Sequence, residues 1–547
     1  MPRTAGNPVR RVALVGLEEC PSMEVVVLPE RFRISAIRDA APTLRRRHLA
    51  VVAGAAALAA PRQISTARAT SAAAPSSFDA QIVPTLAREL STRPHRPRRG
   101  NLPRVLDTLD YDGYRGIRFR AERALWAGAG LDFQVQPHHL GFLFKERVDL
   151  FEVADGQAMP ISYDASHFTF DNGPPPADLG DIGFAGFRIT HPLNRPDHFD
   201  ELCSFLGASY FRALGRGHAY GLSARGLSIR TGHPQGEEFP AFTAFWIERP
   251  APGARSIVVH ALLESQSLTG AYRFAIAPGA STVMEVQAEI FARVAVDGFG
   301  IAPGTSMFLF NPGHRGTVSD FRPAVHDSDG LLMRTGRDVQ IWRPLSNPRR
   351  LQVSGFQDSA PRGFGLMQRA RDFADYQDLE ASYHRRPGLW VEPMDEWGPG
   401  EVQLVEIPTP SEIHDNIVAA WVPREGLKAG EARRVRYRLH WVSEPPLPGG
   451  LLRFAATRSG AGNGSGALRF VLDTTPLQGR MDTLPQAQVS ASAGRIANPV
   501  VQPNPETGGL RLSFDLETDR SRLSEVAAVL ASEAGPVSET WTFRWTG

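Results

Sequence analysis

The chain has 547 residues, of which 42% are hydrophobic and 22% charged, so it is long enough for more than one globular unit. Its 60 basic residues against 58 acidic ones give a formal charge of +2, which excludes the strongly basic surface of a nucleic-acid-binding protein. Only Cys20 and Cys203 are present, so a disulfide framework and a thiolate zinc site are excluded as well.

The first 69 residues are typical of an export signal. Three arginines, Arg45 to Arg47, precede an alanine-rich apolar run from Ala50 to Ala60, and Ala67-Arg68-Ala69 has the small residues that signal peptidase accepts. This pattern predicts a twin-arginine signal over residues 1–69 and a periplasmic destination. The alternative is an alanine-rich helix of a soluble protein. The run is too short for an anchor, so we expect no stable membrane insertion.

Beyond the signal, the sequence predicts one helix and then mostly β-strands. Phe78 to Thr92 has the spacing of an amphipathic helix. Apolar residues then alternate with polar ones, which is typical of strands with one buried face. The clearest predicted strands are Ser256 to Glu264, Thr282 to Val294, Arg434 to Trp441, Ala467 to Asp473, Leu510 to Leu516 and Trp541 to Trp545. Many strands with few helices between them predict an all-β fold of antiparallel sandwiches.

Turn-forming residues suggest where the chain divides. The stretch 423–430, rich in Pro and Gly, is predicted to be a linker. It separates a large sandwich domain over residues 78–422 from a smaller one over residues 431–547, which has the size of an immunoglobulin-like sandwich. A glycine-rich stretch at 460–466 contains a formal GxGxxG pattern but opens no helix, so it is interpreted as a flexible loop.

Common nucleophile and metal motifs are missing from the sequence. Gly221-Leu-Ser-Ala-Arg lacks the second glycine of a nucleophile elbow, and no HExxH motif occurs. The histidines are scattered without ligand spacing, so we expect neither a metal nor another cofactor. Serine hydrolases and zinc peptidases are therefore poor candidates.

Carboxylates among aromatic residues are the remaining chemical signal. Polysaccharide sites combine apolar ring faces, hydrogen-bonding side chains and two carboxyl groups. Asp327 and Asp329, Asp415, and the segment Tyr383 to Glu392 with Arg386 and Trp390 offer these groups. From spacing alone, a turn or cap role for each aspartate and core packing for the tryptophans remain the more ordinary interpretations.

Several segments resemble the osmoregulated periplasmic glucan biosynthesis proteins, a family with types G and D. The matching segments cover nearly all of residues 78–445, and they include Asp181-IGFAGFRI, Phe205-LGASYFRALG, Val325-HDSD, Gly363-FGLMQRARDFADYQD, Arg385-RPGLWVEP and Glu406-IPTPSEIHDNIVAAW. The twin-arginine-like signal favours type D.

The resemblance implies a mutarotase-like sandwich followed by an immunoglobulin-like domain, acting on the β-1,2-linked glucan backbone. It assigns the general acid to Asp415 and the general base to Asp327, as in an anomer-inverting hydrolase or transglycosylase. Tyr383, Arg386 and Trp390 would lie in the substrate and proton-relay region. The short loop at 460–466 departs from the type D pattern, which has an aromatic-bearing loop there, so a cleft wall is expected to be missing.

Two functions therefore stand as hypotheses. The first is an inverting enzyme that acts on β-1,2-glucan through Asp415 and Asp327. The second is a non-catalytic glucan-binding factor that assists backbone synthesis or branching. The partner in both is the polysaccharide, and the sequence leaves open whether two chains form a homodimer.

Overall fold

The computed structural model describes residues 75–98, 102–171, 173, 179–316, 318–462, 466–479, 481–519 and 523–546. The predicted signal over residues 1–69 and the centre of the 460–466 loop lie outside the described residues. Almost all of the regular structure is β-strand, which confirms the all-β prediction.

The predicted N-terminal helix is shorter than expected. It spans Ile82–Ser91 rather than starting at Phe78. The Asp79 carboxylate accepts a hydrogen bond from N of Gln81 and turns the chain just before the helix. Val83 and Ala87 are buried on the outer face of a sheet, so this helix covers one face of the sandwich.

One sheet, here called the long sheet, runs through the whole molecule. Most neighbouring strands in it are antiparallel, but Asp149–Ala154 beside Ala241–Glu248 and Gln340–Pro344 beside Thr540–Trp545 are parallel. In spatial order its strands are Ser76–Ser77, Gln157–Pro160, Asp149–Ala154, Ala241–Glu248, Ile257–Glu264, Leu268–Ala277, Thr282–Ala292, Ala432–Val442, Gly388–Pro393, Gly363–Met367, Gly330–Arg334, Gln340–Pro344, Thr540–Trp545, Ser524–Ser532 and Gln486–Ala491, with Gly535–Pro536 beside Ser524–Ser532.

A second sheet packs against the first half of the long sheet. In spatial order its strands are Gln352–Asp358, Gly400–Glu406, Ile417–Pro423, Phe299–Ser306, Ser223–Arg225, Tyr210–Ala213, His198–Leu206, Gly186–Arg195 and Gln134–His138, with Leu227–Ile229 also beside Phe299–Ser306. Phe187 and Phe205 of this sheet meet Phe245 of the long sheet with ring centroids 4.9 and 5.3 Å apart. The main hydrophobic core therefore lies between the two sheets.

Several short elements lie outside these two sheets. They are the helices Arg104–Asp107 and Tyr111–Arg115, the 3₁₀ turns Ala121–Arg123, Ala165–His167, Phe373–Asp375 and Tyr383–Arg385, and the strand pairs Ile117–Phe119 with Phe168–Phe170 and Phe308–Phe310 with Val325–His326.

A smaller C-terminal sandwich forms from the end of the long sheet and a third sheet. The strands of this third sheet are Phe454–Ala461, Ala467–Thr474, Gly509–Glu517 and Arg495–Asn504. Its Phe470 packs against Phe514 and against Trp541 of the long sheet, with ring centroids 5.3 and 5.4 Å apart. A second hydrophobic core thus separates these layers.

The predicted boundary at 423–430 is displaced by the structure. Strand Ala432–Val442 pairs with Thr282–Ala292 on one side and Gly388–Pro393 on the other, so it belongs to the large sandwich. Residues 423–430 connect the second sheet to the long sheet within that sandwich. The strands of the smaller sandwich begin only at Phe454.

Within the described residues, no helix combines the length and the apolar character needed to cross a membrane. The free thiol of Cys203 is buried in the main core, where burial raises its pKa.

Candidate active site

Asp327 lies in the segment 325–330, here called the Asp327 loop, which runs from the short strand Val325–His326 to the start of the strand Gly330–Arg334. The amide N of Asp327 donates to the carbonyl of Met307 at 2.8 Å. The hydroxyl of the next residue, Ser328, is hydrogen-bonded to the hydroxyl of Ser306 at 2.8 Å. The backbone of this Asp327 loop is therefore fixed, and the Asp327 carboxylate is the group left to face the neighbouring loops.

The Asp327 carboxylate is paired with Arg386. Nη1 of Arg386 donates to Oδ1 of Asp327, and Asp327 is only 5% exposed. Burial raises the pKa of Asp327, the positive charge of Arg386 opposes this, and the negative charge of Asp415 adds to the increase. The structure thus brings two of the predicted site residues, Asp327 and Arg386, into direct contact. A third, Asp415, is close enough to act on Asp327 electrostatically.

Arg386 is itself held on three sides. Its Nε and Nη2 both donate to the carbonyl of Ala381, at 3.0 and 2.9 Å. Its guanidinium lies over the ring of Tyr383, 4.2 Å from the centroid. On the third side is Gly221, where a Cβ would come within 2.9 Å of Cβ of Arg386. Gly221 is therefore the residue that leaves room for this arginine.

Asp415 is exposed, but the next residue anchors it. Asn416 is buried, and its Nδ2 donates to the carbonyls of Phe308 and Ile407, both at 3.0 Å. Its Oδ1 accepts from N of Phe308, and its N donates to the carbonyl of Ser306. Since Asp327 is bound to Met307, the loops that carry the two aspartates are both attached to the same three residues, Ser306 to Phe308.

Tyr383 reaches a carboxylate that the sequence did not single out. Its buried hydroxyl donates to Oε2 of Glu412 at 2.6 Å, and burial with this contact raises the pKa of Tyr383. Glu412 also accepts from Arg322 at 2.9 Å, and Arg322 binds Asp378 at 2.8 Å. Glu412 is three residues before Asp415 and in the same quoted segment, but nothing in its spacing distinguished it from an ordinary surface acid.

The second sheet contributes further polar groups on the face turned away from the core. Phe211 and Ala224 point into the core, whereas Arg212 and Arg225, one residue further along each strand, point to the opposite face. The positive charge of Arg212 lowers the pKa of Asp327. This face is next to the Asp327 loop. The alternation of inward and outward residues along the two strands is the sequence signal that could have identified Arg212 and Arg225.

Arg225 extends the site beyond the two aspartates. It is 3% exposed, and it donates to Oε1 of Glu237 at 2.6 Å and to the hydroxyl of Thr305 at 2.8 Å. Burial works to lower the pKa of Arg225, but negative neighbours that include Glu237 and Asp415 outweigh it and raise the pKa. Asp415 is therefore electrostatically coupled to two buried groups, Asp327 and Arg225.

A cavity of about 310 Å³ lies beside Glu237. Its lining includes His95, Arg98, Arg147 and Glu264. These donors and acceptors suit a hydroxyl-rich ligand better than an apolar one.

Trp390, predicted to bind substrate, is part of the second hydrophobic core. It is 2% exposed and belongs to the same cluster as Trp342. Gly363 lies against its indole, where a Cβ would come within 2.2 Å of the ring. This prediction is wrong because the indole has no free face on which a sugar ring can stack.

Among the described residues, no group of three or more His, Cys, Asp or Glu side chains is arranged to hold a metal ion. Asp327 and Glu412 are each paired with an arginine, Arg386 and Arg322. The side chains in contact with or close to Asp327 and Glu412 offer carboxyl groups, a tyrosine hydroxyl and guanidinium groups.

Comparison with known proteins agrees with the resemblance seen in the sequence. The family described as "Periplasmic glucan biosynthesis protein, MdoG" matches residues 78–545. A glucans biosynthesis protein G of Rhodopseudomonas palustris is 52% identical over 474 residues, covering 86% of this chain and 93% of that protein. Proteins of the same name from Bradyrhizobium diazoefficiens and Vibrio cholerae are 51% and 49% identical, cover 86% of this chain, and are themselves covered over 93% and 87% of their length. These three carry the type G name and give no support to type D.

Proposed function

Because this chain belongs to the periplasmic glucan biosynthesis protein family, we propose that it acts on the β-1,2-linked backbone of periplasmic glucans as an anomer-inverting hydrolase or transglycosylase. The observation that carries the proposal is the buried Asp327 carboxylate, paired with Arg386 and influenced by the charge of Asp415. An inverting enzyme needs two carboxyl groups in one site, one ionised and one protonated.

The proposed reaction is a single displacement at the anomeric carbon. Asp327 takes a proton from the attacking water, directly or through an intervening hydroxyl, while the water oxygen bonds to C1. Asp415 gives its proton to the glycosidic oxygen as the C1–O bond breaks. In transglycosylation, a sugar hydroxyl replaces the water, and the same two proton transfers apply.

The neighbours of Asp327 fit the role of a general base. Arg386 provides a positive partner for the ionised Asp327 carboxylate. Burial raises the pKa of Asp327, which makes this carboxylate a better proton acceptor. Activity should therefore be lost as the pH falls through the pKa of Asp327. Asp415, exposed on its anchored loop, is accessible to a glycosidic oxygen before the substrate encloses it.

Tyr383 and Glu412 are proposed to support proton movement next to Asp327. The Tyr383 hydroxyl both donates and accepts hydrogen bonds, and it is already bound to the Glu412 carboxylate at 2.6 Å. Arg322 holds Glu412 in place by donating to both of its carboxylate oxygens. The negative charge of Asp327 contributes to the raised pKa of Tyr383, so the hydroxyl that is bound to Glu412 also lies within electrostatic reach of Asp327.

A binding role without catalysis is the second candidate. The relatives are named for glucan biosynthesis rather than for glucan breakdown, and this observation favours a factor that handles the growing chain. Such a protein would keep the polar face with Arg212 and Arg225 but would not need a protonated Asp415.

Export by the twin-arginine route also remains a proposal, while the family's description as periplasmic agrees with the predicted destination.

Product analysis on linear β-1,2-glucan tests the proposal. We expect the mature protein to produce shorter or cyclised oligosaccharides, which are detected by chromatography and mass spectrometry. Asp415→Asn should reduce turnover by about 10²–10⁴-fold, since general acid catalysis contributes this much. Asp338→Asn, at an exposed aspartate that pairs with Arg334, is the matched control and should turn over glucan like wild type.

The hydrolase proposal fails if wild type leaves the polymer intact and Asp415→Asn still supports glucan synthesis in cells. Calorimetry that then detects glucan binding without products would establish the binding role instead.

A further inference from the structure

We propose that Glu539, in the C-terminal sandwich, is a positioning residue for the Asp327 loop and acts through Arg369 and Asp329. The inference rests on the proposed function, in which Asp327 is the general base. It gives the C-terminal sandwich a direct part in holding the reactive carboxylate.

Glu539 holds Arg369 in one orientation. Oε1 and Oε2 of Glu539 accept from Nη1 and Nη2 of Arg369 at 2.6 and 2.7 Å, and the carboxylate is fully buried. Nη1 of Arg369 also donates to the carbonyl of Phe454 at 2.6 Å, and N of Phe454 donates to Glu539 at 2.7 Å. The guanidinium lies 3.6 Å from the ring centroid of Trp342. A two-pronged pair of this kind fixes direction as well as distance.

The backbone at Arg369 in turn holds Asp329, which lies two residues after Asp327. N of Arg369 and N of Ala370 both donate to Oδ2 of Asp329, at 2.6 and 2.8 Å. N of Asp329 donates in turn to the carbonyl of Met367 at 2.8 Å. Asp329 is two residues from Asp327, so the C-terminal side of the loop follows the position of Arg369.

The residue before Arg369 holds the other side of the loop. Oε1 of Gln368 is 2.9 Å from Nδ1 of His326, and its Nε2 donates to the carbonyls of His326 and Tyr383 at 3.2 and 3.3 Å. The turn around Arg369 therefore contacts the loop both before and after Asp327. A displacement of this turn moves the carboxylate relative to Arg386, and an error of 1 Å in such a contact costs about 10²-fold in rate.

The Arg369–Glu539 ion pair is not needed simply to hold the two sandwiches together. A buried pair is often no more stabilising than apolar residues of the same size. The sandwiches are also joined by the parallel strands Gln340–Pro344 and Thr540–Trp545 and by Arg544, whose Nη1 donates to the carbonyl of Val353 at 3.0 Å. What Glu539 adds to these contacts is a fixed connection to the Asp327 loop.

The test compares Glu539→Gln with Glu525→Gln. Glu525 is a partly buried partner of another arginine, Arg544, that bridges the two sandwiches, but among the described residues none of the contacts of that pair reaches residues 325–330. The readouts are hydrogen exchange of peptides that span residues 325–330, kcat and KM on linear β-1,2-glucan, and thermal unfolding. If Glu539→Gln does not fold, Arg369→Lys takes its place, because it keeps the charge but loses the two-pronged contact.

We expect faster exchange in residues 325–330 and a kcat lowered by about tenfold or more in Glu539→Gln, with KM changed by less than about twofold. Glu525→Gln should leave both unchanged. Wild-type exchange and kcat in a folded Glu539→Gln would overturn the proposal, as would equal effects in the two variants. If wild type itself does not turn over glucan, that result counts against the proposed enzyme and not against the positioning role, because the exchange comparison still decides whether Glu539 positions the loop.

Discussion

Asp327 experiences opposing influences that only a folded chain can bring together. Its burial and the charge of Asp415 disfavour the ionised form, while Arg386 and Arg212 favour it, and the net result is a raised pKa. An ionised Asp327 therefore reduces folding stability near neutral pH, a cost that suits a catalytic group better than a structural one.

This balance predicts how Asp327→Asn changes stability. Because the pKa of Asp327 is higher in the folded than in the unfolded chain, the ionised form is destabilising near pH 7, and the asparagine removes that effect. We expect Asp327→Asn to unfold at the same or a higher denaturant concentration than wild type at pH 7. The difference should shrink as the pH falls and Asp327 becomes protonated, whereas turnover of glucan should already be lost by about 10²–10⁴-fold.

Asp338→Asn serves as a control, because it should change the stability at pH 7 in the opposite direction to Asp327→Asn. The pKa of Asp338 is lowered, chiefly by its hydrogen bond with Arg334, so its contribution is present at neutral pH and is lost as the pH falls. A marked destabilisation of Asp327→Asn at pH 7 would contradict the assignment of a strained, ionisable base at this position.

At the scale of elements, alternation along the strands predicted the fold well. The predicted strands Ser256 to Glu264 and Leu510 to Leu516 correspond to Ile257–Glu264 and Gly509–Glu517. Alternation reports which face is buried but not which loops meet above the other face. The contacts of Arg386 with Asp327 and Tyr383 with Glu412 join segments 59 and 29 residues apart, so spacing alone could not predict them.

The close approach of Gly221 to Arg386 gives a prediction at this scale. In Gly221→Ala, the new Cβ would lie 2.9 Å from Cβ of Arg386 and would push the guanidinium away from Asp327. We expect a loss of about 1–3 kcal/mol in the free energy of unfolding, as for other overpacked sites, and a reduction of turnover by about tenfold or more.

Gly449→Ala is the matched control, because a Cβ at Gly449 meets no atom of the described residues within 4 Å. Denaturant unfolding and glucan turnover of both variants provide the comparison. Wild-type turnover in Gly221→Ala would show that the position of Arg386 does not matter for the reaction.

At the scale of the molecule, the long sheet makes the two sandwiches parts of one structure. Strands Gln340–Pro344 and Thr540–Trp545 pair across the junction, and Trp342 and Trp390 of the large sandwich lie in the C-terminal core. The sequence predicted two sandwiches but misplaced their boundary, because turn residues look alike in a domain linker and in a connection between two sheets. The same long-range packing buries Trp390, whose local sequence suggested a sugar-binding ring.

The anomeric configuration of the first product tests the central claim most directly. A single displacement on a β-linked glucan inverts C1, so both a hydrolysis product and a transglycosylation product carry a new α anomeric centre. Proton NMR of linear β-1,2-glucan with the mature protein should show an α signal before mutarotation, and Asp327→Asn and Asp415→Asn should not produce it. A first product with a β anomeric centre, or an α signal that persists in both variants, would contradict the account.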